Sequence, residues 1–165
     1  MTALKMNKIE IRPATLDDVD QIMQFVIDLA IYEKEEDAVV ATPDHFKNAL
    51  FCENPQAHCL MAEYQGKAVG FALYFFSFST WLGQHGIYLE DLYVSPESRG
   101  LGAGKALLKT LSKIAVEKNL GRVEWSVLDW NEPAIKFYKA MGAVAMDEWT
   151  VYRLSGDALS SFAKA

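Results

Sequence analysis

Arg99-Gly100-Leu101-Gly102-Ala103-Gly104-Lys105 is the stretch that decides how this chain is read. It follows Gly86-Ile87-Tyr88-Leu89-Glu90-Asp91-Leu92-Tyr93-Val94, which fits a strand, and it opens Ala106-Leu107-Leu108-Lys109-Thr110-Leu111, which fits a helix. A glycine-rich turn between a strand and a helix start suits a phosphorylated ligand. Glycines let the backbone come close, and the first helical turn offers unpaired N–H groups and a partial positive charge.

Spacing excludes two familiar loops. A Walker A loop needs glycine where Arg99 stands and a hydroxyl residue where Ala106 stands. A dinucleotide fingerprint needs G-x-G-x-x-G near the start of a βαβ unit, whereas this loop reads G-x-G-x-G deep in the chain. What remains is Arg-x-x-Gly-x-Gly after a strand. Charge supports an anion here. Residues 98–116 contain no Asp or Glu but carry Arg99, Lys105, Lys109 and Lys113, in a chain of net charge −6. The lysines recur every fourth residue and share a helix face. Arg99 and Lys105 are near enough to the loop to meet phosphate oxygens. Lys109 and Lys113 read as a solvated stripe. Taken alone, the loop also fits a plain helix N-terminus with a flexible turn.

Composition bounds the rest. At 165 residues, 51% apolar and 23% charged, the chain is expected to be one globular domain spanning 1–165. The longest apolar run, near residues 69–78, is too short to cross a bilayer, and no cationic leader precedes an apolar segment at the start. Cys52 and Cys59 make no disulfide framework and suit a reducing cytoplasm. The acidic balance argues against nucleic acid and allows a cationic substrate. His45, His58 and His85 lack ligand spacing, so no metal is expected.

Ile9 and Ile11 alternate with polar residues in a strand ending at Pro13. Thr15 and Asp18 form an approximate capping box before a helix whose face carries Val19, Ile22, Phe25, Val26, Leu29 and Ala30, and which ends at Tyr32-Glu33. Thr42-Pro43-Asp44 starts a second helix to Leu50. Residues 59–64 and 68–78 read as a hairpin around Gln65-Gly66-Lys67, and 79–86 as a loop. After the glycine turn come a helix to Lys118, a strand 122–128, a helix 132–141, a strand ending near Leu154 and a short terminal helix around Leu159 and Phe162. The order βααβββαβαβ predicts an α/β fold: a mixed, mostly antiparallel sheet with helices on both faces.

Asn131-Glu132-Pro133-Ala134-Ile135-Lys136-Phe137-Tyr138-Lys139-Ala140-Met141-Gly142 is a second informative block. Pro133 suits a first helical turn, Gly142 suits a C-terminal cap, and Asn131 and Tyr138 lie about two turns apart on one side. Read singly, Asn131 is equally an N-cap and Tyr138 a core aromatic.

Together the two blocks resemble the acetyl-coenzyme A motifs of the GNAT acetyltransferase superfamily, in its order and separation. Within it the chain is similar to the diamine/polyamine and thialysine group, through Ile11-Arg12-Pro13-Ala14, Tyr32-Glu33, Ser79-Thr80-Trp81, the 87–94 strand and Leu128-Asp129-Trp130-Asn131. The resemblance implies transfer of an acetyl group from acetyl-coenzyme A to a primary amine by a cytoplasmic homodimer. It implies Tyr138 as the acid that protonates the departing thiolate. It implies Glu90 as the base that deprotonates the amine through water. The backbone of Leu92, Tyr93 and Val94 would pair with the pantetheine arm. Arg99, Gly100, Leu101, Gly102, Ala103, Gly104 and Lys105 would hold the pyrophosphate, and Asn131 would position the arm. Tyr32, Glu33, Trp81, Glu90 and Asp91 would form the amine pocket. Polyamine-specific members carry an acidic residue where this chain has Ser79, which points to shorter amines or lysine-like amino acids.

The chemistry explains why such residues are needed. A lysine-like amine with a pKa near ~10.4 is almost wholly protonated at pH 7, so a base must take a proton before attack. Glu90 and Asp91 fall on opposite faces if the strand is regular, and a bulge changes that. Two rivals stay open: acetylation of a protein lysine or N-terminus, and a non-catalytic acyl-coenzyme A-binding protein. Retention of Glu90 and Tyr138 argues against the second.

Overall fold

The computed structural model describes residues 8–164. The reading of the first residues as leaderless concerns positions outside that range. The chain forms two compact units, Met1–Ser126 and Val127–Ala165.

In the first unit, β1 (Glu10–Pro13), β2 (His58–Tyr64), β3 (Lys67–Ser79), β4 (Gln84–Val94) and β5 (Val123–Trp125) form one sheet in sequence order. The first four strands are antiparallel neighbours, and β5 runs parallel to β4. β2 and β3 are joined by Gln65 and Gly66 at φ 53° and 77°. Two successive positive-φ residues make the tight hairpin turn whose twist matches its strands. The loop expected over 79–86 is shorter, because β3 runs to Ser79 and β4 begins at Gln84.

Alternation along the strands splits the core between two faces. On one face Cys59, Met61, Phe71, Leu73 and Tyr93 pack with Ile22 and Phe25 of α1 (Val19–Glu33) and Leu50 of α2 (Pro43–Leu50). Phe25 is the centre, its ring 5.7 Å from that of Phe71 and 5.6 Å from that of Tyr93. The other face carries Leu60, Ala62 and Ala72 and receives α3 (Ala103–Glu117), which buries Leu107, Leu108 and Leu111. Lys105, Lys109 and Lys113 lie on its exposed side.

The entry to α1 is held by an ionic clamp. Arg12 on β1 reaches both oxygens of Asp18, at 2.7 and 2.9 Å, and also Glu63 on β2, at 2.7 Å. Asp18 meanwhile accepts the Thr15 backbone N–H at 2.7 Å, as the capping box predicts.

The second unit contains α4 (Glu132–Ala140) and α5 (Gly156–Phe162). The strand expected to end near Leu154 is not formed. Residues 148–155 are irregular, and no strand among the described residues pairs with them. Strand propensity in Val151, Tyr152 and Leu154 is not enough by itself, because a strand needs a neighbouring ladder for its N–H and C=O groups.

Candidate functional site

The glycine loop is built by three local choices. β4 ends at Val94, a single 3-10 turn (Pro96–Ser98) reverses the chain, and α3 starts behind Gly102. Gly100 and Gly102 both adopt φ 85°, a left-handed conformation that glycine tolerates best. A Cβ added at either would meet nothing within 4 Å, so the loop surface is an open backbone cradle. The first turn of α3 contains no acidic residue, and Lys105 is exposed on it. Free N–H groups, positive helix end and flanking cations fit a pyrophosphate.

Beside the loop, β4 breaks its own regularity. Leu73 pairs with Asp91 while the next residue, Tyr74, pairs with Leu89, leaving Glu90 as the extra residue of a β-bulge. Opposite faces for Glu90 and Asp91, the regular-strand expectation, therefore do not apply. The bulge shifts the phase of the strand. Leu89 faces α3, whereas Asp91 shares the α1 face with Leu73 and Tyr93. The pairing of β4 with β5 ends at Leu89, so beyond the bulge Leu92, Tyr93 and Val94 have no β5 partner.

The bulge gathers three predicted carboxylates. Burial raises the Asp91 carboxyl to about 6, and the charges of Glu90 and then Glu33 add to the rise. Glu33, in the last turn of α1, is also raised, by burial first and then by Glu35. Glu90 is the exposed member. The charges of Glu90 and Glu33 thus disfavour ionisation of Asp91, and a bound cation would relieve that repulsion. Tyr32, next to Glu33, lies under Arg99 of the glycine loop, the guanidinium carbon 5.2 Å from the ring centroid.

Trp81 stands apart from these groups. It lies in the turn between β3 and β4, 87% exposed. Six residues of β3 separate Ser79 from Leu73, the partner of Asp91, roughly 20 Å at ~3.4 Å per residue. Ser79 closes the turn that holds Trp81. Its hydroxyl accepts the Leu82 N–H at 3.2 Å, and its carbonyl accepts the Gly83 N–H at 2.8 Å.

In the second unit, Asn131 is the N-cap of α4, its side-chain oxygen accepting the Ala134 N–H at 3.4 Å. Pro133 sits in the first turn. Gly142, at φ 87°, ends the helix, with the Ala143 N–H bonded to the Tyr138 carbonyl at 3.2 Å. Tyr138 lies in the last turns of α4, its ring 5.6 Å from that of Phe137.

Sequence reasoning missed the contact between Tyr32 and Arg99, because nothing local links residues so far apart. It also treated Asp91 as the minor partner of Glu90, although burial pushes the Asp91 carboxyl up to about 6. A signal was present: the aliphatic positions switch from odd (Ile87, Leu89) to even (Leu92, Val94), as a bulge requires.

Known proteins share this fold and sequence pattern. Residues 23–143 match the model of the acetyltransferase (GNAT) family. The chain is 40% identical over 164 residues to a thialysine N-epsilon-acetyltransferase of Bos taurus, covering 93% of this chain and 96% of that protein. It is 33% identical over 173 residues to spermidine/spermine N(1)-acetyltransferase-like protein 1 of Homo sapiens, covering 99% of this chain but 25% of that longer protein. Among solved structures, an integron cassette protein from the mobile metagenome of V. cholerae superposes with a TM-score of 0.79 at 32% identity, covering 96% of this chain and 99% of that one. The chain belongs to the acetyltransferase (GNAT) family and is an acetyl-coenzyme A-dependent N-acetyltransferase.

Proposed function

We propose that the acceptor is the primary amine of a small molecule that carries a second cationic group a few bonds away, as in a diamine, thialysine or a lysine-like amino acid. One observation carries this reading: Glu33, Glu90 and Asp91 share one electrostatic neighbourhood at the bulge of β4, beside the glycine cradle. The printed name of the Bos taurus relative supports the same class.

In this reading the open cradle of Gly100, Gly102 and Gly104 takes the pyrophosphate, with Leu101, Ala103, Arg99 and Lys105 around it. The β5-free stretch Leu92–Val94 offers backbone groups to the pantetheine arm as an added strand would. Bound acetyl-coenzyme A supplies the activated acetyl thioester. Glu90, exposed at the bulge, takes the amine proton through water. Asp91 and Glu33 hold the second ammonium, and Tyr32 walls the pocket. Tyr138 gives a proton to the leaving sulfur and Asn131 orients the arm; the motif 131–142 supports both roles. Trp81 is a pocket candidate on resemblance alone, and homodimerisation is proposed on the same ground. With Ser79 committed to its turn, no carboxylate occupies that position to hold a long polyamine.

The test is a comparison of specificity constants for thialysine, lysine, putrescine, spermidine and a monoamine of similar length. The two-cation substrates of short span should lead. Glu33→Gln should raise the Michaelis constant for them several-fold and spare the monoamine. Equal turnover of monoamine and diamine by both proteins refutes the pocket, and a preference for spermidine refutes the Ser79 argument.

A further inference from the structure

The Arg99 side chain ties three elements of the first unit together. Its Nε donates to the Val94 carbonyl at the end of β4, at 3.3 Å. Its guanidinium carbon stands 5.2 Å from the centre of the Tyr32 ring, in the last turn of α1. Its charge also reaches the Tyr93 phenol on the α1 face of β4. The end of α1 is itself fixed: Lys34 adopts φ 62°, and the Glu35 N–H bonds back to the Ala30 carbonyl at 2.8 Å. Tyr32 therefore projects from a capped helix end.

An exposed arginine beside a flexible glycine loop samples many rotamers, and most do not face the loop. A ring beneath the guanidinium and an acceptor at Nε remove much of that freedom before any ligand arrives. The terminal nitrogens of the fork keep donors to spare, because a guanidinium carries five N–H groups and this bond uses one.

We propose that Tyr32, although it lies on the helix of the amine pocket, is a positioning residue for the cofactor: it holds the Arg99 guanidinium in place to receive a phosphate oxygen. This rests on the reading of the glycine loop as the pyrophosphate site. Tyr32 thereby acts on acetyl-coenzyme A binding through Arg99 and not by touching the acetyl group. The contact needs the ring face and not the hydroxyl, so phenylalanine suffices and an aliphatic residue does not.

The experiment measures coenzyme A binding by calorimetry for wild type, Tyr32→Phe, Tyr32→Leu, Arg99→Gln and the Tyr32→Leu/Arg99→Gln double variant. Steady-state turnover is then run with acetyl-coenzyme A and, separately, S-acetylpantetheine, which lacks the phosphates. Tyr32→Leu should weaken coenzyme A by about two- to fivefold, the range of an exposed cation–π contact. Tyr32→Phe should bind as wild type. In the Arg99→Gln background the leucine change should add nothing, since the partner is already gone. The Michaelis constant for S-acetylpantetheine should rise less than that for acetyl-coenzyme A. The proposal is overturned if Tyr32→Leu binds coenzyme A normally, if the two losses simply add, or if S-acetylpantetheine suffers equally. Absence of coenzyme A binding by the wild type would instead remove the loop assignment beneath it.

Discussion

Asp91→Asn should make this protein more stable at pH 8 and a poorer catalyst. Burial, then Glu90, then Glu33 lift the Asp91 carboxyl from 3.8 to about 6. A carboxyl raised in the folded state opposes folding once ionised. The penalty is absent below the unfolded value near 3.8, grows between there and about 6, and is complete above. At ~1.4 kcal/mol per unit this shift corresponds to about 3 kcal/mol, which the partial exposure of Asp91 reduces to about 2 kcal/mol. Asparagine keeps the shape and removes the charge, and its amide can donate to the neighbouring carboxylates. For a chain of this size the melting temperature should rise by roughly 4–8 °C at pH 8. The gain should shrink to nothing below about pH 3, where the wild-type carboxyl is protonated in both states. Thermal melts of both proteins across pH 3–8 measure this. Specificity constants for a diamine over the same range should show a break near pH 6 in the wild type that the variant lacks, with lower values for the variant. A destabilised variant at pH 8, or a stability difference that does not change with pH, would refute the argument from the carboxylate cluster.

Asp18 has the opposite sign. Its hydrogen bond to Arg12, the largest influence on it, holds its carboxyl below the usual 3.8, so its contribution is present above that value and lost as pH falls through the folded one. Asp18→Asn should cost about 1.5–3 kcal/mol in urea unfolding at pH 7, and the cost should shrink as pH falls below 3.8; a cost that does not change with pH would mean the clamp is not electrostatic. Tyr138→Phe keeps the ring and removes only the proton, so turnover should fall by about 10²–10⁴-fold with coenzyme A affinity unchanged; wild-type turnover would leave Tyr138 as a packing residue. Light scattering at micromolar concentration should give about twice the 18.5 kDa of one chain, and a monomer alone would refute the dimer.

The parts of this fold that were legible in the sequence are those where short-range chemistry decides the outcome. Gln65-Gly66 sets a two-residue turn because that geometry needs two positive φ values, and the strands on either side then have only one register. Thr15 to Asp18 starts α1 because the donors of a first turn must be satisfied nearby. Gly100 and Gly102 announce a left-handed cradle before a helix. The parts that stayed hidden depend on groups remote in the chain. Whether Val151 to Leu154 forms a strand depends on a partner ladder, which no propensity can reveal. The resemblance leads one to expect Trp81 in the amine pocket, but it lies at the far end of a hairpin whose length only the pairing fixes. The bulge lies between these cases. Ile87, Leu89, Leu92 and Val94 carry its phase shift openly, yet Tyr88 and Tyr93 supply apolar surface on the other face, so the pattern reads equally well as a regular strand buried on both sides. The register settles it, and chemistry follows from the register. One extra residue places Asp91 on the α1 face with Glu33, leaves Glu90 exposed beside it, and coincides with the end of pairing to β5. The same local defect therefore sets both the face that Asp91 takes and the phase of the strand that runs on toward the glycine loop.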